Sequence, residues 1–149
     1  RALHDGQPVI ISWFVDFNAL SSSATFSLEE LARRGGPGRQ GGHMTVLHDY
    51  EITNVPGFGT LKAGETATPE QLQAALADTA QISFLRIKNS WGAYRPDRWN
   101  DAVIPGYHDL QLTYLNGPVK KCAEKDGVTD TKNCSDATPL WDVVLPAGY

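Results

Sequence analysis

At 149 residues and 16.3 kDa the chain is long enough to bury one apolar core, and no internal repeat or break in composition divides it. Charged side chains make up 20% and apolar ones 41%, the balance of an ordinary globular protein rather than a disordered or fibrous one. With 13 basic against 17 acidic side chains the formal net charge is −4, so no overall field attracts nucleic acid or an anionic membrane, and no apolar run reaches the roughly 20 residues that cross a bilayer.

The chain opens on Arg1-Ala2-Leu3-His4-Asp5-Gly6, which has no signal-peptide pattern and stands just ahead of a strong strand. Arg1 therefore reads as a boundary within a longer polypeptide, whether set by processing, nicking or truncation. Residues 8–15 (PVIISWFV) are a continuous run of β-branched and aromatic side chains, the composition of a central strand buried on both faces. A Ser-rich loop over 18–25 follows. Ser27-Leu28-Glu29-Glu30 then has the form of a capping box, with Ser27 as cap and Glu30 reaching back, and opens a short helix to about Arg34.

Residues 35–42 (GGPGRQGG) hold five glycines and a proline, which predicts a loop with neither helix nor strand propensity. It ends at His43, and residues 43–52 (HMTVLHDYEI) alternate well enough for a strand, placing His43 at a strand's mouth. Thr68-Pro69-Glu70-Gln71 starts a second helix to about Asp78, with Leu72, Ala75, Leu76 and Thr79 spaced to lay one face on the body. Residues 82–89 (ISFLRIKN) form a strand that ends at Asn89. Further strands are predicted over 107–115 and 141–145, with a turn at Asn116-Gly117-Pro118. Five strands and two short helices make an α+β class, an antiparallel sheet or small barrel with short helical insertions.

Cys122 and Cys134 stand twelve positions apart in a polar loop, a spacing that allows one short disulfide and matches no zinc ribbon or redox pair. A disulfide implies a secreted or periplasmic setting; two free thiols imply the cytosol. Asp126, Asp130, Asn133 and Asp136 make the same loop acidic, but their spacing fails the EF-hand pattern, so no metal is expected. Arg33, Arg34 and Arg39 are too few for nucleic acid. Trp13, Trp99 and Trp141 are taken as packing side chains, and His4, His48 and His108 as surface or core fillers. His48, five residues beyond His43, falls on the opposite strand face and disfavours a metal pair.

Three segments carry a resemblance. Lys88-Asn89-Ser90-Trp91-Gly92 after the strand Phe84-Leu85-Arg86-Ile87, His43-Met44-Thr45-Val46-Leu47-His48-Asp49-Tyr50, and Gly6-Gln7-Pro8-Val9 occur in the order, and with the residues, of the papain-like cysteine peptidase family. The chain resembles the C-terminal, histidine- and asparagine-bearing half of that family over roughly residues 1–115. The asparagine element is the specific match, the histidine strand less so, and the Gly-x-Pro-Val segment weak by itself.

The resemblance implies a fold like the family's β-rich domain, with His43 as general base and acid, Asn89 orienting the imidazole and Trp91 shielding their hydrogen bond. It implies hydrolysis of peptide bonds by a Cys/His/Asn site without a cofactor. Read alone, His43 would be a strand-edge histidine with no catalytic task; the asparagine element reverses that reading. The chemistry needs these types because an adjacent imidazolium lowers a thiol's pKa by several units, and an amide fixes the ring without adding charge.

The chain also departs from the family. Arg95 stands third after Gly92 where a tryptophan is usual, Gly106-Tyr107 arrives after an insertion over 94–105, and the link between the histidine strand and Phe84 is longer than the family's hairpin. No cysteine precedes His43, and neither Cys122 nor Cys134 sits at a helix start of the nucleophile's type.

The expectation is one β-rich domain, half of a catalytic domain, over 1–149, with 116–149 an unmatched C-terminal extension packed on it. Its partners would be the Cys-bearing segment or chain of the same enzyme and a peptide or protein substrate, with Gly42 and Met44 forming an open, apolar substrate wall. Alone the chain is expected to be inactive. The alternative is a catalytically inactive papain-like binding or structural module.

Overall fold

The computed structural model describes residues 1–91 and 106–149. The chain is mixed α+β, mostly strand, built on a curled half-barrel sheet with a few short helices. In chain order the elements are β1 (Ile10–Asp16), β2 (Thr25–Phe26), α1 (Leu28–Arg33), β3 (Gln40–Val55), β4 (Gly59–Leu61), α2 (Pro69–Ala74) and β5 (Gln81–Lys88). Then come β6 (Tyr107–Gln111), α3 (Leu112–Asn116), β7 (Val119–Lys125), β8 (Val128–Ala137) and β9 (Leu140–Val144). The main sheet runs β2-β6-β5-β3-β1-β9, with β4 paired to β3, while β7 and β8 form a separate hairpin.

Strand β1 is buried on both faces, as its composition predicts, although it lies second from the sheet edge between β3 and β9. Ile11, Trp13 and Val15 point into the core. There they meet Phe26, Leu47, Ile87, Leu110, Tyr114 and Leu115, all buried. Alternation in each strand delivers these inward residues.

Several sequence expectations are corrected. The glycine-rich stretch does not stay a loop to position 42: Gln40, Gly41 and Gly42 pair with Asp16, Val15 and Phe14 and begin β3. Ladder hydrogen bonds from an already ordered neighbour override weak intrinsic propensity. His43 consequently lies inside the strand, opposite Trp13, rather than at its mouth. The strand expected over 107–115 stops at Gln111 and turns into α3, which buries Tyr114 and Leu115. The Tyr114 hydroxyl donates to the Phe14 carbonyl at 2.6 Å and accepts from the Asp16 N–H at 3.0 Å.

The start of α1 keeps its Ser27 cap, which accepts from the Glu30 N–H at 3.1 Å. The Glu30 carboxylate does not reach back; Arg33 and Arg34 hold it at 2.6 and 2.9 Å. Helix α2 has the full capping box between Thr68 and Gln71, but ends at Ala74 instead of Asp78 and lies shallowly, with Leu76 75% exposed. The polar cysteine loop is the hairpin β7–β8, and among the described residues there are nine strands and three α-helices where five and two were expected. The C-terminal extension contributes β9 to the main sheet, antiparallel to β1.

Candidate active site

The core-facing alternation that builds the sheet also assembles a polar group at one end of it. Strand β3 carries Leu47, Thr45 and His43 inward in turn, β5 carries Leu85 and Ile87 and then delivers Asn89, and β6 carries Leu110 and His108. Register sets the neighbours: Leu47 pairs with Ile87, and Ile87 with His108. Asn89 is held beyond the end of β5 by its N–H, which donates to the Gly106 carbonyl at 3.0 Å.

His43 Nε2 and Asn89 Oδ1 are 2.8 Å apart. The same oxygen accepts from the Ser90 N–H at 2.8 Å. Because an amide oxygen only accepts, His43 Nε2 carries the proton and donates it, and Nδ1 is the nitrogen left for acid–base work. Trp91 stacks on the His43 ring at a centroid distance of 5.0 Å and an interplanar angle of 12°. Trp13 packs on it at 6.0 Å, tilted by 54°. The indole of Trp91 is fixed in turn by Phe17 at 5.4 Å and Phe26 at 6.3 Å, so the imidazole–amide pair is enclosed by aromatic carbon. Trp13 is itself anchored, its Nε1–H donating to Thr45 Oγ1 at 3.1 Å.

His108 joins this group, where the sequence reading had made it a filler. It is 2% exposed, its Nδ1 lies 3.4 Å from Asn89 Nδ2, and Trp91 meets its ring edge-on at 5.3 Å. Burial pushes its pKa down to about 4, with Asp109 opposing and His43 adding to the shift. The ring is neutral at ordinary pH, and Nδ1 accepts from the Asn89 amide. Alternation with the buried Leu110 was the available signal, since it puts position 108 on the core face.

The structure brings His43, Asn89 and Trp91 together; Gly42 and Met44 lie elsewhere. They project from the opposite face of β3, where the Trp141 ring covers Gly42 so closely that a Cβ there would sit 2.9 Å from it. Met44 is 66% exposed and lines a shallow pocket of about 270 Å³ with Ile10, Val46, Lys88 and Ser90. A larger cavity of about 730 Å³ lies between α2 and the far ends of β3 and β5, lined by Tyr50, Ile52, Leu72 and Leu85 among others, away from His43. His48 packs against Tyr107 at a centroid distance of 4.6 Å, tilted by 56°, apart from the group.

Cys122 and Cys134 are directly opposed in the β7–β8 hairpin and disulfide-bonded, so neither is a free thiol. Asp126, Asp130, Asn133 and Asp136 run along that hairpin and its turn. Among the described residues no three His, Cys, Asp or Glu side chains converge as a metal site requires. Gly92, Arg95, Trp99 and the insertion over 94–105 lie outside the described residues. Comparisons with protein-family models, with curated proteins and with solved structures found no significant match.

Proposed function

We propose that this chain supplies the His/Asn part of a Cys/His/Asn catalytic site for peptide-bond hydrolysis, with the Cys-bearing part lying outside it. The observation that carries the reading is the 2.8 Å hydrogen bond from His43 to Asn89 beneath a stacked Trp91. A thiol brought to His43 Nδ1 would transfer its proton to the imidazole, and the resulting imidazolium would hold the sulfur as thiolate. The thiolate attacks the peptide carbonyl, and His43 returns the proton to the leaving amine. The same nitrogen then takes a proton from water as the acyl-enzyme is hydrolysed. Asn89 keeps the ring in one tautomer and one plane throughout.

No metal or redox group takes part in this scheme. Met44 is exposed and apolar, but it and Gly42 project from the face of β3 opposite His43 and Trp141 covers Gly42, so the substrate wall is not drawn from these two residues. The disulfide is compatible with a secreted or periplasmic setting.

The test is reconstitution of this chain with the Cys-bearing segment of its own polypeptide, followed by labelling with a thiol-directed epoxide and assay on a peptide substrate. The chain alone should hydrolyse nothing. In the reconstituted protein His43→Ala should abolish labelling and lower kcat by about 10³-fold. Undiminished turnover in that variant overturns the role given to His43. Absence of any reactive thiol in the native protein favours the alternative, a catalytically inactive papain-like module.

A further inference from the structure

We propose that His108 is a positioning residue, its Nδ1 lone pair fixing the Asn89 amide so that Oδ1, and not Nδ2, faces His43. The inference rests on the catalytic reading of His43 and Asn89 and adds to it the group that sets their polarity.

An asparagine amide can sit either way round in the same volume, and its neighbours decide which way is favoured. Among the described residues three groups meet this one. The Ser90 N–H and His43 Nε2 lie on the Oδ1 side, both at 2.8 Å, and His108 Nδ1 lies on the Nδ2 side at 3.4 Å. Turning the amide over would aim Nδ2–H at the Ser90 N–H, and its oxygen at the lone pair of His108. Both contacts would be repulsive. With the amide turned, His43 Nε2 would meet a donor and would have to become the acceptor, moving its proton to Nδ1. A histidine with Nδ1–H cannot take a proton from a thiol at that nitrogen. The His108 acceptor, together with the Ser90 N–H, therefore sets which nitrogen of His43 does acid–base work.

His108 serves only while its Nδ1 is unprotonated. The groups around it favour this: Phe26 from β2 at 6.0 Å and Trp91 at 5.3 Å present aromatic carbon. Among the described residues the titratable groups acting on it include His43 on β3 and Asp109 on its own strand, whose carboxylate is held by Arg86 of β5 at 2.8 Å. Asp109 and Arg86 lie on the opposite face of the sheet from His108.

Nitrogen-15 NMR of the histidine rings in the 149-residue chain tests this without any nucleophile. In the unsubstituted chain at neutral pH, His108 should show a bare Nδ1 and His43 a proton on Nε2; a protonated Nδ1 on His108 overturns the proposal with no variant needed. His108→Phe, which keeps a ring and removes the acceptor, should mix the His43 tautomers, and His108→Gln, which can offer an oxygen, should restore them. In the reconstituted enzyme His108→Phe should lower kcat by about 10-fold at unchanged KM. A folded His108→Phe chain whose His43 stays wholly Nε2-protonated overturns the proposal. Failure of the His43→Ala kinetics strikes the catalytic reading instead, so the two failures are distinguishable.

Discussion

Asn89 Oδ1 accepts two hydrogen bonds, from His43 and from Ser90, and its amide nitrogen donates a third to His108, so a single side chain carries the orientation of the whole group. His108 also makes the fold sensitive to acid. Its pKa falls from 6.5 to about 4 on folding because the buried ring is costly to charge. The unfolded chain therefore binds more protons between those values. Stability contributed by the neutral ring is complete above pH 6.5 and is lost as the pH falls towards 4, at most about 3 kcal/mol. Denaturant melts of the chain at pH 7 and at pH 4 should show that loss, and His108→Phe should flatten it. The grouping of His43, Asn89 and Trp91 was legible in the sequence because two short motifs, one on β3 and one at the end of β5, carry these side chains at fixed places. His108 was not, because alternation reveals which face a residue takes and says nothing about which polar atom waits there.

At the scale of elements, Gln40 joins the disulfide hairpin to the strands that carry the site. Its Nε2 donates to Asp16 Oδ2 at 2.8 Å and to the Lys120 carbonyl at 2.6 Å, and its Oε1 accepts from the Cys122 N–H at 2.9 Å. Asp16, fully buried, also accepts from the Asn18 and Gly38 N–H groups at 2.9 and 3.2 Å, so its carboxylate is satisfied by N–H donors. Gln40→Ala should leave the disulfide intact and release the hairpin, which hydrogen exchange would read as faster exchange at Cys122.

Removing the disulfide itself, by Cys122→Ser with Cys134→Ser, should cost about 3 kcal/mol in the chain-entropy account, measured as a lower denaturation midpoint at an unchanged main-sheet signature. The hairpin carried a usable sequence signal in Asp126-Gly127, which turns between Lys125 and Val128 with φ of 52° and 76°, the conformation of a two-residue type I′ connection. Its strands, rich in Lys, Asp and Thr, lack apolar alternation and so gave no strand pattern. The glycine-rich stretch over 35–42 misled for the opposite reason. Gly41 and Gly42 have no strand propensity, yet β1 supplies their ladder and Trp141 covers Gly42.

At the scale of the whole molecule the sheet is closed by contacts far apart in sequence, and this is where residue patterns had least to say. The order β2-β6-β5-β3-β1-β9 follows from pairings between distant segments, which local propensity does not encode. Tyr114 shows the consequence. Its sequence neighbourhood resembled a continuing strand, but one hydroxyl a hundred residues from β1 serves both the Phe14 carbonyl and the Asp16 N–H, and the chain turns into α3 to bring it there. Its ring also packs on Phe26 at 5.8 Å and on Trp13 at 6.4 Å, so it spans the aromatic core beneath His43.

Tyr114→Phe keeps that packing and removes only the hydroxyl. It leaves a buried carbonyl and a buried N–H at the end of β1 without their partner, a loss of about 2 kcal/mol. For a chain of this size that corresponds to about 6 °C in Tm, measurable by calorimetry. Trp13→Ala would remove the buried indole and should cost more, about 4 kcal/mol. If Tyr114→Phe leaves Tm unchanged, the hydroxyl bridge does not hold α3 to β1, and the turn into α3 rests on the burial of Tyr114 and Leu115 alone.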